Sequence, residues 1–464
     1  MYRSALFSCT GKNPRPIRLR KGDKTVTKQD ILRLAEEEDV RFIRLQFTDM
    51  LGHIRNMAIT VSTLEEALDN KCMFDGSAIM GFADIEESDL FLYPDPDTFT
   101  IFPWRPHQGK VARLICDVHT PDGKPLAYDS RLILKRAVKE AAEMGYTFNV
   151  GVECEFFLFK TDDEGRPLPV PHDEATYFDI SPIDCGENCR RDICLTLEEM
   201  GYEVEASHHE LARGQHEIVL RYNDALSMAD TLVTFRMVAK TLAKRNGLHA
   251  TFMPKPFEGE PGNGMHLSLS LSKDGKNIFC GSGAQGLSDT AHKFIAGLLK
   301  YTPDISCITN PTVNSYKRFI PDFEAPCYIS WSGKNRSLLV RVPSRTGDNA
   351  RIEYRSPDPT ANPYLALAAC LKAGLKGISE NLPLPPSVDV NIYKLSDKER
   401  EAIGVKNLPI SLNEAVAAAS SSDFITELLG ADMKNKYLAA KAAEYGEYRK
   451  TVSAWELNTY MTRF

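Results

Sequence analysis

No uninterrupted apolar stretch in this sequence approaches the ~20 residues that a membrane-spanning helix requires, so no membrane partner is expected. Cys-x-x-Cys pairs are absent too, and the eleven cysteines are an odd number scattered through 464 residues. That excludes a disulfide framework as the organising device and favours a reducing, cytoplasmic compartment. Cys185, Cys189 and Cys194 stand close together, but their spacing fits no common zinc pattern, and free thiols are expected. Positive charge is in deficit: Lys plus Arg number 56 against 63 Asp plus Glu, a net charge of -7 that argues against nucleic acid as the main partner. There is no P-loop, no internal repeat and no low-complexity tract. Gly281-Ser-Gly-Ala-Gln-Gly286 has GxGxxG spacing, but the strand before it is short and no clear parallel strand follows, so it is set aside as a dinucleotide site.

With 43% hydrophobic residues the chain can bury a substantial core. Residues 1–23 form a basic extension, carrying Arg3, Lys12, Arg15, Arg18, Arg20 and Lys21 before the first acidic residue, and disorder is expected there. A small α+β domain is expected over 24–127, with strands at 40–47, 54–61 and 110–118. A helix opened by the capping box Ser62-Thr-Leu-Glu65 interrupts them. Past a boundary near Ala127, Asp129-Ser130 caps a helix that stops at Gly145. The rest, 128–464, alternates strands with helices; Asn362-Pro363 starts one helix, and the tail is helical and ends in Trp455, Tyr460 and Phe464. Such an aromatic end suits docking onto a partner subunit or packing back on its own domain.

The chemistry begins at Val150-Gly-Val-Glu-Cys-Glu-Phe-Phe-Leu-Phe159, which reads as a buried strand containing two acids. Strand alternation puts Glu153 and Glu155 on one face, where charges about 7 Å apart repel by roughly 2 kcal/mol at an effective dielectric of ~20. A cation between them is expected. Three further segments place polar residues on one strand face: His266, Ser268 and Ser270; Arg351, Glu353 and Arg355; and Glu210 with Glu217, the chain bending at Gly214. Five glutamates and a histidine suit hard divalent cations. Arg318, Arg336, Arg341, Arg345, Arg351 and Arg355 crowd within forty residues and suit phosphate and carboxylate. The combination points to phosphoryl transfer, with Glu324 on a proline-flanked loop able to act as a lid.

At these residues the sequence resembles the glutamine synthetases of the bacterial type I family, from about Thr27 to the C-terminus. Carriers of the likeness include Met73-Phe-Asp-Gly-Ser77, the Glu153/Glu155 strand, His208-His-Glu210 with Gly214-Gln-His-Glu217, Lys255-Pro-Phe257 and Asn310-Pro-Thr-Val-Asn-Ser-Tyr-Lys-Arg318. Asn335-Arg-Ser337 and Asn362-Pro-Tyr-Leu365 complete it. The resemblance implies a small N-terminal β-grasp-like domain and a larger catalytic domain whose antiparallel sheet forms a partial barrel surrounded by helices. It also implies two or more Mg²⁺ or Mn²⁺ per site, with Glu155, Glu210 and Glu217 on one and Glu153, His266 and Glu353 on the other. Arg336 and Arg341 would contact ATP phosphates, with Glu205, Ser268 and Ser270 nearer the nucleoside. Gly262, Arg318 and Arg355 would bind L-glutamate, Glu324 would close the site, and Asp49 of a neighbouring subunit would handle ammonium. The catalytic set is thus Asp49, Glu324 and Arg336, in a dodecamer of two hexameric rings.

The implied reaction joins ammonia to glutamate through γ-glutamyl phosphate, giving glutamine, ADP and phosphate. Rival readings are a ligase of the same fold using a polyamine or other amine, a non-catalytic homologue, and a two-metal hydrolase. Retention of Asp49, Glu324 and all six acidic and histidine ligand positions favours the first reading. Departures from the family pattern are Pro261 where the glutamate loop usually has Asn, Asp322 in place of a glycine beside Glu324, and Asp84 in place of a basic residue. Tyr393 lies near where some relatives are adenylylated, in surroundings that differ from theirs.

Overall fold

In the computed structural model of the chain, the described residues are 26–82, 88–105, 108–321, 323–335, 338–344 and 347–464. The basic extension, Asp84, Asp322, Arg336 and Arg345 lie outside them. Thr27 opens the first helix, Lys28–Glu37, with a capping box: its hydroxyl accepts from the Asp30 N–H at 3.2 Å while the Asp30 carboxylate accepts from the Thr27 N–H at 3.0 Å. Five strands follow, β1 (Val40–Thr48), β2 (Ile54–Thr60), β3 (Cys72–Asp75), β4 (Asp89–Ile101) and β5 (Lys110–His119), in the order β2-β1-β5-β4-β3. Ile43, Leu45 and Phe47 alternate inward from β1 and meet Ala112, Leu114 and Cys116 of β5, which gives this sheet a core of its own. The Ser62–Glu65 capping box does not form. Val61–Thr63 make a 3-10 turn ahead of the helix Leu64–Leu68, so Ser62 sits inside the turn and pairs with the Thr60 hydroxyl at 2.8 Å.

A ten-stranded sheet is built around the 15-residue β6 (Thr147–Thr161). Its other members are β7 (Pro167–Pro171), β8 (Val204–His209), β9 (Gln215–Asp224), β10 (Leu248–Thr251), β11 (Met265–Lys273) and β12 (Lys276–Asn277). A separate pair joins β13 (Tyr328–Ile329) to Lys406–Asn407. Then β14 (Trp331–Ser332), β15 (Val340–Arg341) and β16 (Ile352–Tyr354) complete the path β14-β15-β16-β11-β6-β9-β8. Every pairing is antiparallel except β14 with β15. The fold is α+β, with the larger sheet enclosed by helices.

β6 shows why the site lies where it does. Phe148, Val150, Val152, Cys154, Phe156 and Leu158 all enter the main core, packed by helices such as Ala225–Arg245 and Asp289–Thr309. The odd positions face the other way and carry Asn149, Gly151, Glu153 and Glu155, until Phe157 and Phe159 turn that face apolar against Phe257. One strand therefore supplies the core with one period-2 register and the site with the other.

Arg131, 3% exposed at its side chain, ties the smaller sheet to a helix that packs on the larger one. Its guanidinium donates to Asp95 of β4 at 2.7 Å, Asp117 of β5 at 2.8 Å and, twice, to Asp230 of the helix Ala225–Arg245 at 3.0 and 2.9 Å. Asp129 caps Ser130–Glu143, as the sequence suggested, by accepting from the Arg131 N–H at 2.8 Å. Among the described residues no helix is long and apolar enough to cross a membrane, and the ten described cysteines are free thiols.

Candidate active site

Sheet register brings the acidic and histidine residues together. His266 of β11 stands opposite Glu153 of β6, Glu155 opposite Glu217 of β9, Glu217 opposite His208 of β8, and Glu353 of β16 opposite Ser268. In antiparallel pairs directly opposed residues share a face. The His266 ring lies between the two β6 carboxylates, with Nδ1 3.5 Å from Glu153 and Nε2 4.0 Å from Glu155, and Nδ1 is 3.8 Å from Glu353. Ligand atoms of Glu153, Glu217 and His266 lie within 4.8 Å of one another, as do those of His208, Glu210 and Glu217. Glu217 therefore reaches both groups. His208 had no assigned role, although its place two residues before Glu210 in a strand was the available signal.

The hairpin between β8 and β9 is pinned from behind. Gly214 takes φ +65°, and a Cβ there would lie 2.9 Å from the Leu158 carbonyl oxygen. Its N–H donates to Asp173 at 3.0 Å; Asp173 also accepts from His209 Nε2 at 3.0 Å, and His209 Nδ1 donates to the Glu210 carbonyl at 2.7 Å. A buried group of Asp173, Asp184, His209 and His216 is already served by a cation, since Arg190 donates to Asp184 at 2.8 Å and to His216 at 2.9 Å. These residues support the hairpin.

Charge at the site is unevenly compensated. Burial pushes Glu155 up to about 7, aided by Glu210, against the pull of His266, the Gly264 N–H and Arg318. Burial and four neighbouring carboxylates, Glu155 foremost, raise Glu217 well above the ordinary range. Glu353 is also buried, but Arg355, His266 and Arg341 outweigh burial and hold it at about 2. Both arginines donate to it at 2.6 Å. For Glu153 burial is the largest single influence and raises the pKa, but the hydrogen bond and charge of His266, with the charge of Arg355, together lower it. Buried carboxylate oxygens that only raise one another, beside imidazole nitrogens, fit a hard divalent cation.

Two cavities flank this charge. One of about 30 Å³ is lined by Glu155, Glu210, Pro261, Gly262, His266, Arg318, Glu324 and Arg355, among others. Arg318 and Arg355 are 2% and 6% exposed, and their Nε atoms have no hydrogen-bond partner among the described residues. Two buried guanidiniums with donors to spare suit a carboxylate-bearing ligand. Gln215, which sequence reasoning left without a role, donates to Glu155 at 2.9 Å and so fixes that carboxylate at the pocket wall. The other cavity, about 620 Å³, is lined by Glu205, Tyr222, Asn277, Asp348, Ala350 and Arg351 with their neighbours. Ser270 reaches its edge through a hydrogen bond to the Tyr222 hydroxyl. Ser268 lies in register between Glu353 and Gly151.

Asp49 is not brought to this site. It sits in the turn between β1 and β2, 1% exposed, bonded to Arg55 at 3.0 Å and to the His53 N–H at 2.9 Å. Asn362 donates to its carbonyl at 3.1 Å, so the turn rests on the start of the helix Pro363–Ser379.

The family model described as glutamine synthetase, catalytic domain, matches residues 127–460, and the one described as glutamine synthetase, beta-Grasp domain, matches residues 39–121. The chain belongs to the glutamine synthetase family. It is similar to the glutamine synthetase of Clostridium saccharobutylicum, 54% identical over 439 residues that cover 94% of this chain and 99% of that protein. The glutamine synthetase of Staphylococcus aureus strain N315 is 53% identical over 443 residues, 95% of this chain and 99% of the other. Among solved structures, a GmaS/ADP complex superposes with a TM-score of 0.85 at 33% identity, covering 93% of this chain and 99% of that one. A cryo-EM structure of Plasmodium falciparum glutamine synthetase gives 0.84 at 25% identity, with 94% and 98% covered.

In this glutamine synthetase family member the GxGxxG segment closes on itself. The Gly281 N–H donates to the Gly286 carbonyl at 3.0 Å, and the turn precedes the helix Asp289–Thr309 without any βαβ unit. Its glycines serve the chain's own turn.

Proposed function

We propose that this chain is a glutamate–ammonia ligase, forming glutamine, ADP and phosphate from L-glutamate, ammonia and ATP by way of γ-glutamyl phosphate. The observation that carries the reading is the juxtaposition of the acidic and imidazole cluster with the small Arg318/Arg355 pocket on one side and the larger Glu205/Arg351 cavity on the other. Family membership supports it, and the ADP complex of GmaS supports placing a nucleotide on this fold.

Arg318 and Arg355 hold the glutamate carboxylates alongside Gly262, which lines the same pocket on a loop so closely packed that a Cβ there would lie 2.2 Å from the Pro254 carbonyl oxygen. Glu155, Glu210 and Glu217 would hold one divalent cation and Glu153, His266 and Glu353 a second, Mg²⁺ or Mn²⁺. Bound there, the ions would neutralise the carboxylates and the oxygens of the transferring phosphoryl group. Arg341, which donates to Glu353 at 2.6 Å, would contact a nucleotide phosphate. Glu205, Ser268 and Ser270 lie on the nucleoside side, and Arg336 completes the phosphate contacts. Glu324 closes the small pocket and keeps water from the acyl phosphate. Asp49 of a neighbouring subunit draws in ammonium and takes its proton. Asp49 is not among the residues that line the pocket of its own chain, which accords with a site completed by a neighbouring subunit in a dodecamer of two rings in the cytoplasm.

The test is ADP release with glutamate and either ammonia or a panel of organic amines. Strong preference for ammonia is expected. Preference for an organic amine would move the chain to another ligase of the same fold.

A further inference from the structure

Glu324 has φ +59°, the left-handed region that a glutamate rarely occupies. The surroundings must therefore hold it there. Three contacts do so in successive residues. The Phe323 ring lies under the Lys255 ammonium, 4.1 Å from its centroid; the Glu324 carbonyl accepts from Arg355 at 3.1 Å; and the Ala325 carbonyl accepts from the Tyr393 hydroxyl at 2.7 Å. Arg355 belongs to the pocket wall, as do Phe323, Glu324 and Ala325 themselves. Tyr393 arrives from elsewhere in the chain, on the short 3-10 turn Ile392–Lys394.

We propose that Tyr393 is a positioning residue for the reaction: by fixing the Ala325 carbonyl, its hydroxyl holds the backbone turn that presents Glu324 to the small pocket. The inference rests on the reading of Glu324 as the group that closes the site. The tyrosine is well placed for this because its own anchorage does not depend on the hydroxyl. Asn391 accepts from the Tyr393 N–H at 3.1 Å, Ile392 is fully buried, and the Tyr393 ring packs on Tyr328 at 5.9 Å. Burial also pushes the phenol pKa up, so the hydroxyl remains a donor at neutral pH. With the carbonyl released, Glu324 can relax from its left-handed conformation and the pocket opens to water. Water then attacks γ-glutamyl phosphate, returning glutamate and phosphate where ammonia would have given glutamine.

Tyr393→Phe in the full chain removes the hydroxyl and keeps the ring. Amide exchange in the 323–328 peptide is expected to quicken by a factor of about 5, the worth of one neutral hydrogen bond, while the peptides of β6 and β11 keep the wild-type rate. In turnover with saturating ATP and glutamate and limiting ammonia, phosphate released is expected to exceed glutamine formed. An unchanged exchange rate at 323–328 overturns the proposal, as does an unchanged phosphate-to-glutamine ratio despite faster exchange. Faster exchange spread through β6 and β11 would mark a merely structural residue and overturns it as well. Wild-type protein that makes no glutamine would refute the ligase reading instead, and the exchange comparison would still decide whether Tyr393 holds the turn.

Discussion

Glu155 and Glu217 face each other across β6 and β9, and their folded pKa values, about 7 and well above the ordinary value, follow from burial among other carboxylates. The folded chain thus keeps protons that the unfolded chain releases from about pH 4.3 upward. This pair's contribution to stability is present below that window and is lost as pH rises through about 7. Divalent ions bind the ionised carboxylates, so the rise in melting temperature produced by Mg²⁺ or Mn²⁺ should grow between about pH 6 and pH 8. Glu217→Gln should raise the melting temperature measured in chelator and abolish most of the metal-induced rise; a lower value in chelator would contradict the charge assignment. Much of this was legible in the sequence, because period-2 alternation puts Glu153 and Glu155 on one face whatever the neighbours are. The two clusters that share Glu217 were not, since cross-strand register is a product of tertiary pairing. Gln215 could have been read two residues before Glu217, yet its bond to Glu155 depends on that same register.

At the scale of elements, the hairpin joining β8 to β9 holds His208, Glu210 and Glu217 in place, and Gly214 allows its turn. Gly214→Ala combines a left-handed φ with a Cβ 2.9 Å from the Leu158 carbonyl oxygen. It should destabilise the protein by about 1–3 kcal/mol in urea denaturation and weaken metal binding in the same variant. Intact metal affinity would mean that the hairpin does not set the ligand geometry. Helix starts marked by Asp129 and Asn362 were readable because an N-cap works through backbone only two or three residues away. The Ser62–Glu65 box misled because β2 delivers the chain into a 3-10 turn, in which the serine is no longer first. Such a turn has no sequence signature distinct from a helix start.

For the whole molecule, the Arg131 knot joins two strands of the smaller sheet to the helix Ala225–Arg245, which packs on the sheet that carries the metal site. Arg131→Ala leaves Asp95, Asp117 and Asp230 without their shared partner and should cost about 3–5 kcal/mol in chemical denaturation. A change below about 1 kcal/mol would place it among ordinary surface pairs. No sequence pattern announced this knot, because its members are 14 to 99 residues from Arg131. The α+β character of the first domain and the face of β6 that bears the site were readable from periodicity, and the resemblance supplied the antiparallel catalytic sheet and what each ligand is for. The most direct measurement is glutamine formation from ATP, glutamate and ammonia, with and without Mg²⁺ or Mn²⁺. The account predicts glutamine and ADP in equal amounts, dependent on both the metal and ammonia; ATP hydrolysis that ammonia leaves unchanged, with no glutamine formed, would contradict it.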